Sequence, residues 1–446
     1  MTAYVSEETL DRSQMRDLQW KRLKQTINRV YSHVPFYKKA FEEQGITPED
    51  IKSWDDVSRL PFTKKHHLRE NYPFNLLAAP MEDIVRLHGS SGTSGKPTVV
   101  GYTQNDIDHW ADIVARAIYM AGGRKGDVLH NAYGYGLFTG GLGLHQGAER
   151  LGCATVPISG GNTSRQITLI QDFKPRVICG TPSYILNVGE TMKKMGINPR
   201  ETSVEYAILG AEPWSEEMRT TIEELFDIKA MDIYGLSEVM GPGVAMECKE
   251  CQDGLHIAED HFYVEVIDPD TLKPVPEGED GEIVFTSLTK EALPIIRYRT
   301  GDISSITRET CKCGRTTTKM SRIKGRIDDM IILRGVNVFP SEIERCIMQM
   351  KEIGTNYQIH LTKKGVMDHA QLQVEVSDSF FESLPEKNFE NPTCKDLIKK
   401  IQSTLKTEAL VSMEVCLKQP EELPRSEGKA KRIVDRRSSD SLSVSS

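Results

Sequence analysis

Residues 88–97, His-Gly-Ser-Ser-Gly-Thr-Ser-Gly-Lys-Pro, gather three glycines, four hydroxyls and one lysine between two β-like runs, Asp83–Leu87 and Thr98–Thr103. Glycines free the backbone to turn several N–H groups toward one point, and hydroxyls and an ammonium add donors there. The composition is that of a phosphate cradle. It is not the loop of the common NTPases, which would need Gly where Ser90 stands and Ser or Thr where Pro97 stands. Nor does a helix follow: Thr98–Thr103 reads as a strand, so the stretch is expected at a hairpin tip. The plainer alternative is a flexible Gly/Ser turn.

Two more groups of residues have chemistry written into their types. Asn131–Gly143 interleaves Tyr133, Tyr135 and Phe138 with five glycines. Glycine lets a ligand approach the backbone and rigid aromatic faces suit a flat apolar acid, although an aromatic core corner with turns reads the same way. Cys248-x2-Cys251, His256 and Cys311-x-Cys313-Gly314 supply thiolates and an imidazole at short spacing, the usual ligands of tetrahedral zinc. Five candidates compete for four positions, and reduced, uncoordinated cysteines are the alternative.

The elements that must position these residues alternate. Helical periodicity over Glu8–Phe41 suggests a helical cap. Ala154–Ile158, Ile167–Asp172, Val177–Gly180, Tyr184–Met195, Tyr206–Gly210, Glu216–Leu225 and Ala230–Tyr234 read as strands alternating with helices, hence βαβ units. The fold class expected is α/β, a large N-terminal domain with mainly parallel sheets. Ligands at such sheets sit outside the carboxyl ends of strands. Two ends carry polar, glycine-bearing turns, Gly210-Ala211-Glu212-Pro213 and Tyr234-Gly235-Leu236-Ser237-Glu238. Alternation in Glu259–Pro269, Gly281–Thr286 and Ile295–Asp302 predicts a small antiparallel β subdomain, about residues 255–327.

Composition sets the outer bounds. The chain has 446 residues, enough for two or three domains. A net charge of −8 argues against nucleic acid as the main partner. No apolar run has the length of a membrane span, and there is no signal-peptide core, so no membrane association is expected. Nine cysteines, an odd number, suggest a reducing cytoplasm. No internal repeat is present.

Ser90–Pro97 resembles the signature loop of the adenylate-forming superfamily, which includes acyl-CoA synthetases, and further signatures follow in order. Tyr234–Glu238 is similar to Tyr-Gly-x-Thr/Ser-Glu, Tyr298–Asp302 to Tyr-Arg-Thr-Gly-Asp, Gly325–Asp328 to Gly-Arg-x-Asp, and Leu423–Arg432 to the terminal Gly-Lys segment. Pro61–Arg69 resembles the phenylacetate–CoA ligase branch, with His66 and His67 where the branch carries an acidic pair.

The resemblance implies roles. Lys429, Glu238 and Lys65 would be catalytic, with Glu238 also holding Mg2+ and Lys65 touching phosphate. Ser90, Ser91, Gly92, Thr93, Ser94, Gly95, Lys96, Gly210, Ala211, Glu212, Asp232, Tyr234, Gly235, Ser237, Asp302 and Arg326 would bind nucleotide. Tyr135, Phe138, Gly140 and Ile233 would line the acid pocket. Asp328 would be the hinge between an adenylation domain, 1–327, and a mobile α+β C-terminal domain, 328–437, ahead of a disordered Ser-rich tail, 438–446. Members of the branch share a cysteine, a Gly-x-His and a Cys-x-Cys, which favours Cys248, His256, Cys311 and Cys313 as structural zinc ligands, Cys251 being the substitute.

The activity implied is ATP-dependent activation of phenylacetate or a close arylacetate as an acyl-adenylate, then transfer to coenzyme A. The alternatives are a same-branch ligase for another aryl or indole acid, or a non-catalytic nucleotide-binding protein. ATP, Mg2+ and coenzyme A are the implied cofactors and co-substrates. The family's habit implies a homodimer.

Overall fold

In the computed structural model, residues 4–90, 98–333, 336–364, 367–425 and 429–437 are described. The chain divides into two compact units, one of residues 1–181, 188–211 and 226–323, the other of residues 182–187, 212–225 and 324–446. The division thus falls four residues ahead of Asp328, and two earlier segments join the second unit. The proposed tail, 438–446, lies outside the described residues.

The first unit begins with α1 (Arg12–His33). Asp11 caps it: its carboxylate accepts from Gln14 N at 2.9 Å while Gln14 Oε1 accepts from Asp11 N at 3.2 Å. The helix stops at the residue preceding Pro35, where α2 (Pro35–Glu43) starts, and buries Leu23, Ile27 and Val30. α3 (Lys65–Glu70) follows. β1 (Arg86–Ser90) and β2 (Thr98–Tyr102) form an antiparallel hairpin registered up to Ser90–Thr98, the side chains of that last pair hydrogen-bonded to each other.

Next come α4 (Gln104–Ala121), β3 (Val128–Asn131), α5 (Thr139–Leu151), β4 (Ala154–Val156), α6 (Thr163–Phe173), β5 (Val177–Gly180), α7 (Pro182–Lys194), β6 (Tyr206–Gly210), α8 (Glu216–Phe226) and β7 (Lys229–Leu236). Strands β4, β3, β5, β6 and β7 are parallel neighbours. Their carboxyl ends therefore share one edge, where residues 131–143, 210–212 and 234–238 emerge.

Beyond β7 the same sheet turns antiparallel through β8 (Gly241–Glu247), β9 (Leu255–Ile257), and the short β14 (Lys319–Met320) and β13 (Ile306–Thr307), making nine strands among the described residues. The parallel half is as expected. The antiparallel half draws in segments assigned to the β subdomain, because β9 and β14 pair through His256–Lys319 and Leu255–Met320 instead of standing apart. The separate antiparallel layer is β10 (Phe262–Ile267), β11 (Gly281–Ser287) and β12 (Tyr298–Ser304).

The second unit contains β15 (Gly325–Arg326), an antiparallel pair β16 (Ile331–Leu333) and β17 (Val336–Val338), and α9 (Pro340–Met348). A hairpin of β18 (Ile353–Lys364) and β19 (Met367–Val376) is flanked by parallel β20 (Glu414–Lys418) and β21 (Ile433–Asp435). α10 (Asp378–Ser383) is short; α11 (Pro392–Glu408) packs Leu397, Ile401 and Leu405 into a core with Ile343, Ile347, Ile359 and Leu372. This is a compact α+β body with its own apolar interior.

Candidate active site

The turn after β7 is built by close backbone approach. A Cβ on Gly235 would lie 1.9 Å from Gly241 O, so only glycine fits there. Tyr102 OH donates to Met240 O at 2.6 Å and Trp110 Nε1 to Pro242 O at 3.0 Å, pinning the exit of the turn. Across the turn, Tyr234 OH donates to Asp302 Oδ2 at 2.6 Å, joining two segments that the sequence keeps far apart. Gly301, at φ 75°, sets that aspartate on β12, and its N–H is held by Glu282 at 3.0 Å.

Ser237 Oγ lies 3.0 Å from Thr139 Oγ1 at the start of α5. Glu238 is 6% exposed, and among the described residues its carboxylate makes no hydrogen bond or ion pair. A buried carboxylate without a partner is costly and calls for a counter-charge. A second orphan stands nearby in the same packing: Lys290, 2% exposed, holds its Nζ 4.1 Å above the Tyr102 ring with no hydrogen-bond partner among the described residues. Burial drives its pKa down to about 8, against the opposing pull of Asp106 and Glu238.

The hairpin and the aromatic–glycine loop meet at one carbonyl. Leu137 O accepts from Gly89 N at 2.9 Å and lies 3.0 Å from His88 Nδ1. His88 is buried edge-on to Tyr102 and Trp110, and desolvation lowers its pKa. Tyr135 is half-buried, and burial raises its phenol to about 12 although the Asn131 hydrogen bond pulls the other way. Ile233 is buried beneath the strand edge, Gly140 lies in the first turn of α5, and Phe138 stands 52% exposed.

Other expected nucleotide contacts distribute as follows. Ser90 ends β1; Ser91, Gly92, Thr93, Ser94, Gly95 and Lys96 lie outside the described residues. Gly210 closes β6, and Ala211 follows at φ 69°. Asp232 pairs with Arg322 at 3.4 Å. Lys65 opens α3, and the strand-like contacts of Thr63 with Arg297 and Arg299 lay that segment beside β12. In the second unit Glu212 accepts from Ser183 N and Ala430 N, both at 2.8 Å, so it holds the residue next to Lys429, which is exposed. Arg326 sits half-buried on β15; the side chain of Asp328 lies outside the described set.

The cysteine cluster closes on four residues. One ligand atom each of Cys248, His256, Cys311 and Cys313 lies within 4.8 Å of all the others, and all four residues are buried. Cys248 and Cys311 Sγ are 3.8 Å apart, and Cys313 Sγ is 3.5 Å from His256 Nε2. Metal–ligand bonds of about 2.3 and 2.0 Å in a tetrahedron give edges of about 3.8 Å for S–S and about 3.5 Å for S–N. The donor set therefore fits zinc. Thr317 Oγ1 at 3.0 Å from His256 Nδ1 orients the ring so that Nε2 faces the thiols. Cys251 groups instead with Asp253 and Cys311. Next to the knuckle, Arg315 makes a buried ion pair with Glu8 at 2.9 Å.

Thr139, His88, Asn131 and Lys290 carry parts of this site that sequence reading did not single out for a role. A buried lysine in Thr289-Lys290-Glu291 has no sequence signal, whereas Thr139 could have been found as the hydroxyl opening the helix after the aromatic loop.

This geometry belongs to a recognised class. Residues 15–289 match the AMP-binding enzyme family and residues 335–437 the AMP-binding enzyme C-terminal domain. The chain is 50% identical over 437 residues to phenylacetate-coenzyme A ligase of Thermus thermophilus, covering 96% of this chain and 98% of that one. It is 51% identical over 433 residues to phenylacetate-coenzyme A ligase of Aromatoleum evansii, covering 96% of each. Among solved structures, 2-hydroxyisobutyryl-CoA ligase in the postadenylation state superposes with a TM-score of 0.90 at 30% identity, over 97% of this chain and 91% of that one. The chain belongs to the AMP-binding, adenylate-forming enzymes and, within them, to the phenylacetate–coenzyme A ligase family.

Proposed function

We propose that the protein activates phenylacetate with ATP as phenylacetyl-adenylate and transfers the acyl group to coenzyme A, releasing AMP and pyrophosphate. The observation that supports this reading best is the convergence at one sheet edge of Tyr234 bonded to Asp302, the buried Glu238 with no hydrogen bond among the described residues, and the aromatic loop tied to the hairpin through Leu137 O.

The first half-reaction asks the carboxylate of the acid to attack the α-phosphorus of ATP, an anion on an anion, so cations must meet charge as it develops. Lys429 and Lys65 are the residues assigned to that task, with Lys96 and the rest of residues 90–96 cradling phosphate. Tyr234 packs by the base, and Asp302 accepts from the ribose hydroxyls, a task suited to a carboxylate's several lone pairs. Gly210, Ala211, Glu212, Asp232, Gly235, Ser237 and Arg326 complete the nucleotide site; Tyr135, Phe138, Gly140 and Ile233 form the acid pocket. Glu238 would hold Mg2+, which when bound screens phosphate charge. The second half-reaction needs Lys429 withdrawn to admit the thiol, and rotation at Asp328 supplies that change. Asp328→Pro is expected to spare adenylate formation and abolish thioester formation.

Cys248, His256, Cys311 and Cys313 would hold a closed, structural zinc. The same reading makes the protein a homodimer in a reducing cytoplasm, with acid, ATP and coenzyme A as its partners and no role for nucleic acid or membrane; among the described residues no helix is long and apolar enough to cross a membrane.

The test is AMP release from ATP, Mg2+ and coenzyme A across a panel of aryl and alkyl acids. A sharp preference for phenylacetate is expected, lost in Lys429→Ala. Turnover confined to another acid would overturn the substrate, and no turnover with any acid in zinc-replete protein would overturn the activity.

A further inference from the structure

Asn131, the last residue of β3, is fully buried, and its one side-chain amide touches both ends of the aromatic–glycine loop. Its Oδ1 accepts from Tyr133 N at 3.3 Å. Its Nδ2 donates both protons, to Tyr135 OH at 2.8 Å and to Gly141 O at 2.8 Å. The main chain repeats the closure: Ser159 N donates to Asn131 O at 3.2 Å, and Ser159 Oγ accepts from Tyr135 N at 3.2 Å.

The hydroxyl of Tyr135 is thereby given a direction. An amide nitrogen can only donate, so Tyr135 OH accepts from Asn131; it also lies 3.2 Å from His145 Nδ1. The other ring nitrogen, Nε2, faces Glu149 at 3.0 Å, and with its one proton held there the ring presents Nδ1 as an acceptor for the Tyr135 hydroxyl. In that arrangement Tyr135 has no proton left for a ligand and offers mainly its ring.

We propose that Asn131 is the positioning residue of the acid pocket, acting through Tyr135: it fixes the loop length and the ring so that the pocket measures the acid. The chain Asn131–Tyr135–His145 then makes the enzyme select an apolar arylacetate over a shorter aryl acid. The inference rests on the assignment of this loop to the acid, and it adds residues that the assignment does not contain. One methylene in an apolar pocket is worth about 10- to 200-fold in kcat/KM, so a slackened loop has that much selectivity to lose.

The experiment is steady-state kinetics of Asn131→Ala and Tyr135→Phe with phenylacetate and benzoate, measuring KM for acid and for ATP separately. Asn131→Ala is expected to raise the KM for phenylacetate about tenfold or more, to lower the phenylacetate-to-benzoate ratio of kcat/KM by a similar factor, and to leave the KM for ATP within about twofold. Tyr135→Phe, which keeps the ring and Asn131's other two bonds, should show the same pattern at a few-fold, and it carries the test if Asn131→Ala does not fold. Equal shifts in both KM values, or an unchanged acid ratio in a less stable variant, would overturn the proposal by making Asn131 purely structural. Wild-type protein that turns over no aryl acid would overturn the functional reading itself, a separate outcome.

Discussion

Two irregular stretches of the first unit are held shut by opposite means. The aromatic–glycine loop is closed by neutral hydrogen bonds: every proton of the Asn131 amide finds an acceptor, and its oxygen a donor. Such a network is complete with the protein's own atoms. The cysteine knuckle brings three thiols and an imidazole together in a buried place with their ligand atoms within 4.8 Å. As thiolates that close they would repel one another, so the proposed zinc, and not the cluster's own atoms, would satisfy it. Irregular backbone at a site can thus be self-sufficient or conditional, and the kinds of donor it gathers decide which.

The largest effect should come from taking the proposed zinc away. Chelation, or Cys313→Ser, is expected to remove several kcal/mol and to lower the melting temperature by roughly 10 °C or more, with zinc restoring the chelated wild type. Arg315, paired with Glu8 beside Cys313, would carry that loss into the N-terminal segment. Asn131→Ala should cost less, about 1–3 kcal/mol for groups left without partners. Thermal unfolding with metal analysis decides between them: metal-free protein that melts unchanged in chelator would erase the contrast.

Glu238 is a third case, conditional like the knuckle but through a single carboxylate. Glu238→Gln is expected to reduce adenylate formation about 10²- to 10³-fold. Because the change removes a buried charge that makes no hydrogen bond among the described residues, at the cost only of its pull on Lys290, stability should change little. Initial rates and unfolding midpoints on the same preparation check both halves. A fall in stability as large as the fall in rate would mean that the carboxylate serves the fold.

Legibility in the sequence follows the same division. The hairpin, the parallel strands and the turn Tyr234–Glu238 could be read because local residue types dictate them: alternation, β-branching, and glycine where backbones nearly touch. The compact α+β second body was legible for the same reason. The antiparallel half of the main sheet was not, since β13 and β14 are two residues each and gain their pairing only from neighbours distant in sequence. The spacing of the cysteines left five candidates, the family resemblance chose four, and the same four converge in space. Partnerships such as Tyr234 with Asp302 or Lys290 with Tyr102 join surfaces whose meeting depends on the whole fold. No local pattern encodes them.

The smallest effect separates the two orphan charges. Lys290, with its pKa lowered to about 8 from 10.5, is faced by Asp106, Glu238, His88 and the Tyr102 ring. A lysine whose folded pKa lies below its unfolded value binds fewer protons when folded, so it destabilises the protein fully below pH 8 and less as pH climbs toward 10.5. The shift corresponds to a penalty on the order of 3 kcal/mol at neutral pH. Loss of the cation–π contact offsets part of it in Lys290→Met, so the net gain at pH 7 should be about 1–2 kcal/mol. That gain should shrink between pH 8 and 10, read from urea unfolding of both proteins. An advantage that stays constant with pH would show that Lys290 binds the same number of protons folded and unfolded, so that burial does not lower its pKa. An advantage that grows would show that its charge stabilises the fold, making Lys290 the counter-ion that Glu238 lacks among its hydrogen bonds.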